Sequence, residues 1–385
     1  MNLDQTFRVE LDILEKAHLR RTLRVTDPFS EKLLNFAAND YLGLSRHPAL
    51  IEAVRRVIMD RGTGAGAARL VTGTDAAVLQ FEEEIASWKE KEAALVFTSG
   101  YAAALGTMPT LVGKGDTIIL DKLAHACLID AARLSGATVR TFAHNDVQRL
   151  EALLQKISTG KGRILIVTES IFSMDGDAAP IQEIIELKER HGAWLFVDEA
   201  HATGLYGTTG AGLIAEMGLS AHVEIVMGTL SKALGSVGGY IAGSRILIDW
   251  LTNRARSFVY STALPPGVVA ASRTAVHLAR GPEGHALRAQ LRENIAHFQT
   301  GLPAPWKKRA MTTSAIQPLI CGESSSALQL AATMREKGFL IPAIRYPTVP
   351  RNAARLRVTL SAAHAKKEID ALNEALAATL HPPSS

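Results

Sequence analysis

The feature that most constrains this chain is an alternation that runs from residue 77 to residue 229. Short apolar runs at 93–98, 116–120, 138–142, 163–168, 193–197 and 224–228 alternate with segments whose apolar residues recur at helical spacing. Ile181, Ile184 and Ile185, just after Pro180, show that spacing with a proline at the helix start. Runs this short and this uniformly apolar suit strands buried on both faces. The pattern therefore predicts an α/β fold with a mostly parallel sheet covered by helices on either side. Sheets of this kind gather ligands at the carboxyl ends of their strands. The polar clusters of the chain fall at those ends: Ser99-Gly100-Tyr101, Ala124-His125-Ala126, the stretch from Glu169 to Asp177, Asp198 to His201, and Thr229 to Lys232.

The remainder of the chain frames this region. Leu11, Leu14 and Ala17 fall on one face of a charged helix that ends in Arg20, Arg21 and Arg24, a solvated helix end or an anion site. Residues 1–42 read as an arm and 43–280 as a large domain. After the turn signal at Gly281-Pro282-Glu283-Gly284, residues 281–385 read as a smaller α+β domain. A chain of 385 residues has room for about two to three domains. The net charge of +4 suits anionic substrates but is too small and too dispersed for a nucleic-acid footprint. Cys127 and Cys321 form neither a ligand cluster nor a disulfide framework, no secretory leader follows Met1, and no apolar run is long enough to span a bilayer. A cytoplasmic enzyme is expected. The glycine-rich loop at 62–74 lacks the Gly-Lys-Ser/Thr ending of a phosphate loop, which leaves a mobile loop or close packing near a site.

The strand-end residues match the needs of one cofactor. Pyridoxal 5'-phosphate requires an amine for its aldehyde, and Lys232 stands just past an apolar strand. It requires a buried carboxylate to keep its ring nitrogen protonated, and Asp198 ends the run Trp194-Leu195-Phe196-Val197. Gly100 and Tyr101 open a helix whose N-terminal N–H groups can hold a phosphate, and Thr229 and Ser231 add hydroxyls. His125 can stack on the ring, and His201 can reach the phenolic oxygen. Taken singly, each residue has a plainer reading. Lys232 could be a solvated strand-end lysine, Asp198 a helix cap, and His125 a core histidine. Asp198, His201 and Ser173 could also form a hydrolase triad, although Ser173 lacks the Gly-x-Ser-x-Gly elbow. Their joint occurrence is the specific signal: a strand ending in Asp-x-x-His, then Thr-x-x-Lys, with the lysine 34 residues after the aspartate.

Asp198-Glu-Ala-His-Ala-Thr-Gly204 together with Thr229-Leu-Ser-Lys232 resembles the α-oxoamine synthases, fold-type I pyridoxal-phosphate enzymes that condense an amino acid with an acyl thioester. Asn39-Asp-Tyr-Leu-Gly-Leu44, Phe172-Ser-Met-Asp-Gly-Asp177 and Ala354-Arg-Leu-Arg-Val-Thr-Leu-Ser361 extend the resemblance over nearly the whole chain. Within the family, residues 143–146, 314–320 and 343–350 are most similar to the branch that joins L-alanine to a pimeloyl thioester, carried on coenzyme A or acyl-carrier protein. The resemblance implies that Lys232 holds the aldehyde, Asp198 the ring nitrogen and His201 the phenolic oxygen. It places His125 on the ring face and Ser173 near the cofactor. Gly100, Tyr101, Thr229 and Ser231 would hold the phosphate end, joined by Thr262 from the second subunit of a homodimer. Arg357 would take the amino-acid carboxylate, Asn39 and Thr348 would line the substrate site, and Arg21 would meet the acyl chain. The chain departs from the family pattern in the 62–75 loop and at Tyr346, both substrate-facing. The alternatives are another family member, such as a glycine C-acetyltransferase, or a non-catalytic subunit of the same fold.

Overall fold

The computed structural model describes residues 2–23, 33–157, 162–307 and 312–379; Arg24 lies outside them. The strands are, in chain order, β1 (Leu34–Asn35), β2 (Ala93–Phe97), β3 (Thr117–Asp121), β4 (Thr138–Phe142), β5 (Ile164–Glu169), β6 (Trp194–Asp198), β7 (Ile225–Thr229), β8 (Gly239–Gly243), β9 (Ile316–Gly322), β10 (Phe339–Leu340), β11 (Ala343–Ile344) and β12 (Ala354–Thr359). The chain divides into two compact units. One holds residues 39–173 and 177–290, the other residues up to 38, 174–176 and 291 onward.

The larger unit carries a seven-stranded sheet in the order β2-β8-β7-β6-β5-β3-β4. All neighbours pair in parallel except β8, which runs antiparallel to both β2 and β7. The expected α/β sheet is thus present, and β5 and β7 are buried along their whole length. Strand β8 was not expected. Its sequence, Gly-Tyr-Ile-Ala-Gly, reads as a glycine-rich exit from the lysine loop, yet it is inserted between two strands. Its glycines serve that position. A Cβ on Gly239 would lie 2.5 Å from the Gly100 nitrogen, and in the neighbouring β7 a Cβ on Gly228 would collide with the Tyr240 hydroxyl of β8. The helix Pro48–Arg61 was likewise not expected; Pro48 starts it, and its buried face is limited to Leu50. Most of the glycine-rich loop is exposed, and Gly62, Gly64 and Gly66 face open space. Buried Arg69 makes two 2.9 Å bonds to Glu82 and a further one to Thr74.

The smaller unit has a three-stranded antiparallel sheet, β11-β12-β9, and the parallel pair β1-β10. The second pair, and the Thr359 N–H that donates to the Phe36 carbonyl (2.9 Å), tie residues 34–36 to the C-terminal part of the chain, where a separate arm was expected. The N-terminal helix Leu3–Lys16 is capped by Asn2 and Gln5 and buries none of its residues.

The tight passage of β8 yields a prediction. Gly239→Ala should destabilise the protein by about 1–3 kcal/mol, because the methyl group meets backbone that cannot step aside. Urea unfolding of the variant against the parent protein measures the loss.

Candidate active site

The site residues of the larger unit are assembled by strand register. Glu169 at the end of β5 lies opposite Asp198 at the end of β6, and Asp198 lies opposite Met227 in β7. Thr229 closes β7 opposite Gly239. Three residues later comes Lys232, half-buried, in a loop closed by Leu230 N–H to the Gly238 carbonyl and Ser236 N–H to the Leu230 carbonyl, both 2.9 Å. The loop is therefore ordered, and it carries the amine past the end of the sheet.

Asp198 is buried, with the Ala200 N–H donating to its carboxylate at 2.8 Å. Burial raises its pKa; the Lys232 charge, the Ala200 N–H and His125 oppose the rise, and Glu199 adds to it. Glu169 is also buried, and burial next to Asp198 raises its pKa well above the carboxylate range. One oxygen of Glu169 accepts the backbone N–H of His125 at 2.7 Å. His125 caps the helix Ala126–Leu134 and stays exposed, while protein around its imidazole depresses its pKa. The Asp198 charge offsets that depression and the Lys232 charge adds to it. Lys232, Asp198 and His125 therefore act on one another electrostatically, as the sequence reading expected of one site.

The phosphate-side residues also converge. Ser99 caps the helix Gly100–Leu111, its hydroxyl accepting the Ala102 N–H at 3.0 Å. The first amides of that helix have no partner within it. A Cβ on Gly100 would stand 3.7 Å from the Thr229 Cβ, so the helix start lies against the end of β7. The Thr229 hydroxyl contacts Ser231 at 2.7 Å and donates to the Gly238 carbonyl at 2.9 Å. Tyr101 is exposed and its hydroxyl bonds Asp130. His201 is buried, and its Nδ1 is 2.6 Å from the Tyr41 hydroxyl, which also reaches Asn39 at 3.1 Å. Tyr41 thus joins two predicted residues. The sequence reading quoted it inside a motif and assigned it no role. Ser173 is buried and donates its backbone N–H to Glu169. Thr262 is placed elsewhere in the unit, bridged to Ala68 of the glycine-rich loop.

These donors fit pyridoxal phosphate by their chemistry. An amine answers an aldehyde, a buried carboxylate answers a pyridine nitrogen, an exposed imidazole can cover a ring, and free helix amides with two hydroxyls answer a phosphate. Among the described residues no group of three or more acidic, cysteine or histidine side chains is arranged to hold a metal ion. Nor is any described helix long and apolar enough to cross a membrane.

The remaining predicted residues belong to the smaller unit. Arg21 donates to the Thr348 hydroxyl at 3.0 Å. Both line a polar cavity of about 540 Å³ together with His18, Arg20 and Arg345. Arg345 donates to the His18 and Arg20 carbonyls, a cation that sequence reasoning did not single out. Arg357 is buried in β12 and donates to Thr359 at 2.9 Å.

His144 fixes the loop that carries Phe172 and Asp177. Its ring sits edge-on to Phe172 and bonds Asp121 (3.1 Å) and Asp177 (2.8 Å). Burial disfavours its charge, but the bonds and charges of the two carboxylates outweigh this and push its pKa up to about 10. A pKa raised in the folded state stabilises the fold fully below the ordinary value near 6.5, and the contribution is lost as pH climbs toward 10. NMR titration should therefore find His144 protonated at neutral pH. In His144→Gln, stability should lose its dependence on this group over that interval.

The chain matches the family model described as aminotransferase class I and II over residues 31–376. It is 44% identical over 377 residues to the 8-amino-7-oxononanoate synthase of Geobacter metallireducens, covering 95% of this chain and 96% of that one. Among solved structures it is similar to a serine palmitoyltransferase from S. paucimobilis with bound PLP and myriocin, at a TM-score of 0.88, 27% identity and 98% coverage of both chains. It is also similar to the 8-amino-7-oxononanoate synthase of Francisella tularensis, at a TM-score of 0.77, 27% identity, and coverage of 90% of this chain and 98% of that one.

Proposed function

The chain belongs to the class I and II aminotransferase family, and we propose that it catalyses the decarboxylative condensation of L-alanine with a pimeloyl thioester. The products are 8-amino-7-oxononanoate, carbon dioxide and the free thiol, a step of biotin synthesis. The observation that carries this reading is the meeting of Lys232, Asp198 and His125 at the strand ends, in a chain that is close to such synthases over almost its full length. The cofactor is pyridoxal phosphate; when bound, it supplies an electron-poor ring that accepts the electron pair left on the amino-acid α-carbon.

Each residue then has a definable task. Lys232 would hold the cofactor aldehyde, and its Nζ is the group that would take the amino-acid α-proton. Asp198 would hold the ring nitrogen in its protonated form, and that positive charge would offset the cost of burying the carboxylate. His201, steadied by Tyr41, would meet the phenolic oxygen, and His125 would cover the ring and limit water. Gly100, Tyr101, Thr229 and Ser231 fix the phosphate end, with Ser173 near the cofactor. From the motif resemblance, Arg357 takes the alanine carboxylate, Asn39 and Thr348 line the substrate site, and Arg21 meets the acyl chain. The cationic cavity that Arg21 and Thr348 share supports an anionic end group on that chain.

We also propose a homodimer acting in the cytoplasm, in which Thr262 completes the phosphate site of the second subunit. Exposed Leu70, Val71 and Tyr260, close in sequence to the Ala68–Thr262 bridge, support an apolar interface there. Replacing Tyr260 and Val71 by Asp should shift the sedimentation coefficient to that of a monomer and release cofactor on dialysis. A variant that stays dimeric would remove this face from the interface.

The test of the activity is the product itself. Incubation with L-alanine and pimeloyl-coenzyme A should release 8-amino-7-oxononanoate, identified by mass spectrometry. Lys232→Ala should lose at least about 10³-fold in rate. Asp198→Asn should still bind the cofactor, seen in its visible absorption, with little turnover. Product from glycine and a short acyl thioester, and none from this pair, would reassign the substrates within the family.

A further inference from the structure

Nδ1 of His125 has two donors within reach. The backbone N–H of Cys127 points at it from 3.2 Å, and the Cys127 sulfur lies at 3.0 Å. A backbone N–H can only donate. Nδ1 must therefore present its lone pair, and the proton of the neutral imidazole must sit on Nε2. The thiol agrees with that assignment. Cys127 is buried on the helix Ala126–Leu134, and burial pushes its pKa far up, so the sulfur keeps its proton and has it to give. On the other side, the His125 main chain is pinned by its N–H bond to Glu169.

The chain contains a second histidine built the same way. His47 caps the helix Pro48–Arg61; its Nδ1 accepts from the Ala49 N–H at 3.2 Å, and its Nε2 gives its proton to Glu283 at 2.9 Å. At His125 no hydrogen bond to Nε2 is formed among the described residues, and a thiol replaces the second constraint. We propose that Cys127 is a positioning residue that locks His125 as the Nε2–H tautomer, so that His125 meets the reacting groups as a fixed hydrogen-bond donor and not as a base. The inference rests on the cofactor-site reading given above. It divides the proton work: Lys232 takes and returns protons, while His125 offers one N–H to an oxygen on which charge develops, such as the thioester carbonyl.

The groups that face His125 are Asp198 from β6, Lys232 from the loop after β7, Asp130 from its own helix, and Glu169 from β5. Cys127, unlike these, can be altered without changing a formal charge. The test uses holoenzyme labelled with ¹⁵N at histidine, with His125 assigned by its loss in His125→Gln, and ring-nitrogen correlations recorded from about pH 5.5 to 9. The parent protein should show Nε2–H. A hydrogen bond to the neutral ring lowers its basicity, so Cys127→Val should raise the His125 midpoint by roughly half a unit toward the ordinary value. The same variant should lose roughly two- to fivefold in kcat with the KM for L-alanine unchanged. Cys127→Ser, which keeps a donor, should restore both. Cys127→Ala serves if valine does not fit. An Nδ1–H ring in the parent protein, or a valine or alanine variant with the parent's midpoint and kcat, would overturn the proposal. The NMR result does not depend on which thioester is consumed, so a failure of the condensation assay would count against the proposed activity and not against the tautomer.

Discussion

A carboxylate taken out of water at the end of a strand destabilises a fold unless something meets its charge. The larger unit buries three of them side by side, and each is met differently. Glu199 is neutralised for good: Lys89, itself buried, reaches it at 2.8 Å, and the Ile214 N–H donates to its other oxygen. Glu169, next to Asp198 across the strand pair, has its pKa raised by burial and by the Asp198 charge, and the His125 and Ser173 N–H groups donate to its carboxylate. Asp198 stands between these cases, raised by burial and lowered by Lys232. Because Asp198 and Glu199 are consecutive, they leave the end of β6 in different directions, and the permanent ion pair lies behind the working carboxylate. The site can thus keep one charge in reserve for a cofactor without unfolding around it.

The second constraint is steric. Strand β8 returns antiparallel between β2 and β7, and the place where it passes the helix start at Gly100 has room for no side chain. That passage brings the free amides of the helix against the Thr229 hydroxyl. The meeting of Gly100, Thr229 and Gly239 is therefore a product of sheet order: a parallel strand in the same place would enter from the other end and would not deliver Gly239 to Gly100. Packing and binding use the same glycines here, which explains why glycines gather from residue 235 to 243 in a chain otherwise content with branched apolar strands.

Much of this was legible in the sequence. Most parallel strands declared themselves as apolar runs, the edge strand β4 being the polar exception, and the polar residues at or after the runs named Asp198, Lys232, His125 and Thr229 without any knowledge of register. Strand β8 was hidden because two of its five residues are glycine, and the role of Gly239 depends on a neighbour more than a hundred residues away. Tyr41 escaped for a related reason. A tyrosine in a turn-rich stretch gives no local sign that its hydroxyl will meet His201, 160 residues on. Glu169 was seen only as the first letter of a motif, since nothing in a linear reading says that its strand neighbour is Asp198. Arg345 looked like part of a substrate loop, and its bonds to the backbone at His18 and Arg20 are long-range facts of the fold.

The same separation explains why the cofactor chemistry is easier to read than the substrate. The groups proposed to hold the ring and phosphate sit at or just past strand ends, where a shift of one residue would turn a side chain to the opposite face of the sheet, so their spacing in the sequence is rigid. The groups around Arg21 and Thr348 come from a chain segment near the N-terminus and from the irregular stretch between β11 and β12, which no strand register controls. Such segments tolerate insertion and substitution, and Tyr346, stacked against Arg351 with the guanidinium 4.3 Å from the ring centre, is one such change. Selection for a new acyl chain can act on these residues while Lys232, Asp198 and His125 stay where the sheet puts them. This is why a chain only 27% identical to a serine palmitoyltransferase can superpose on it with a TM-score of 0.88.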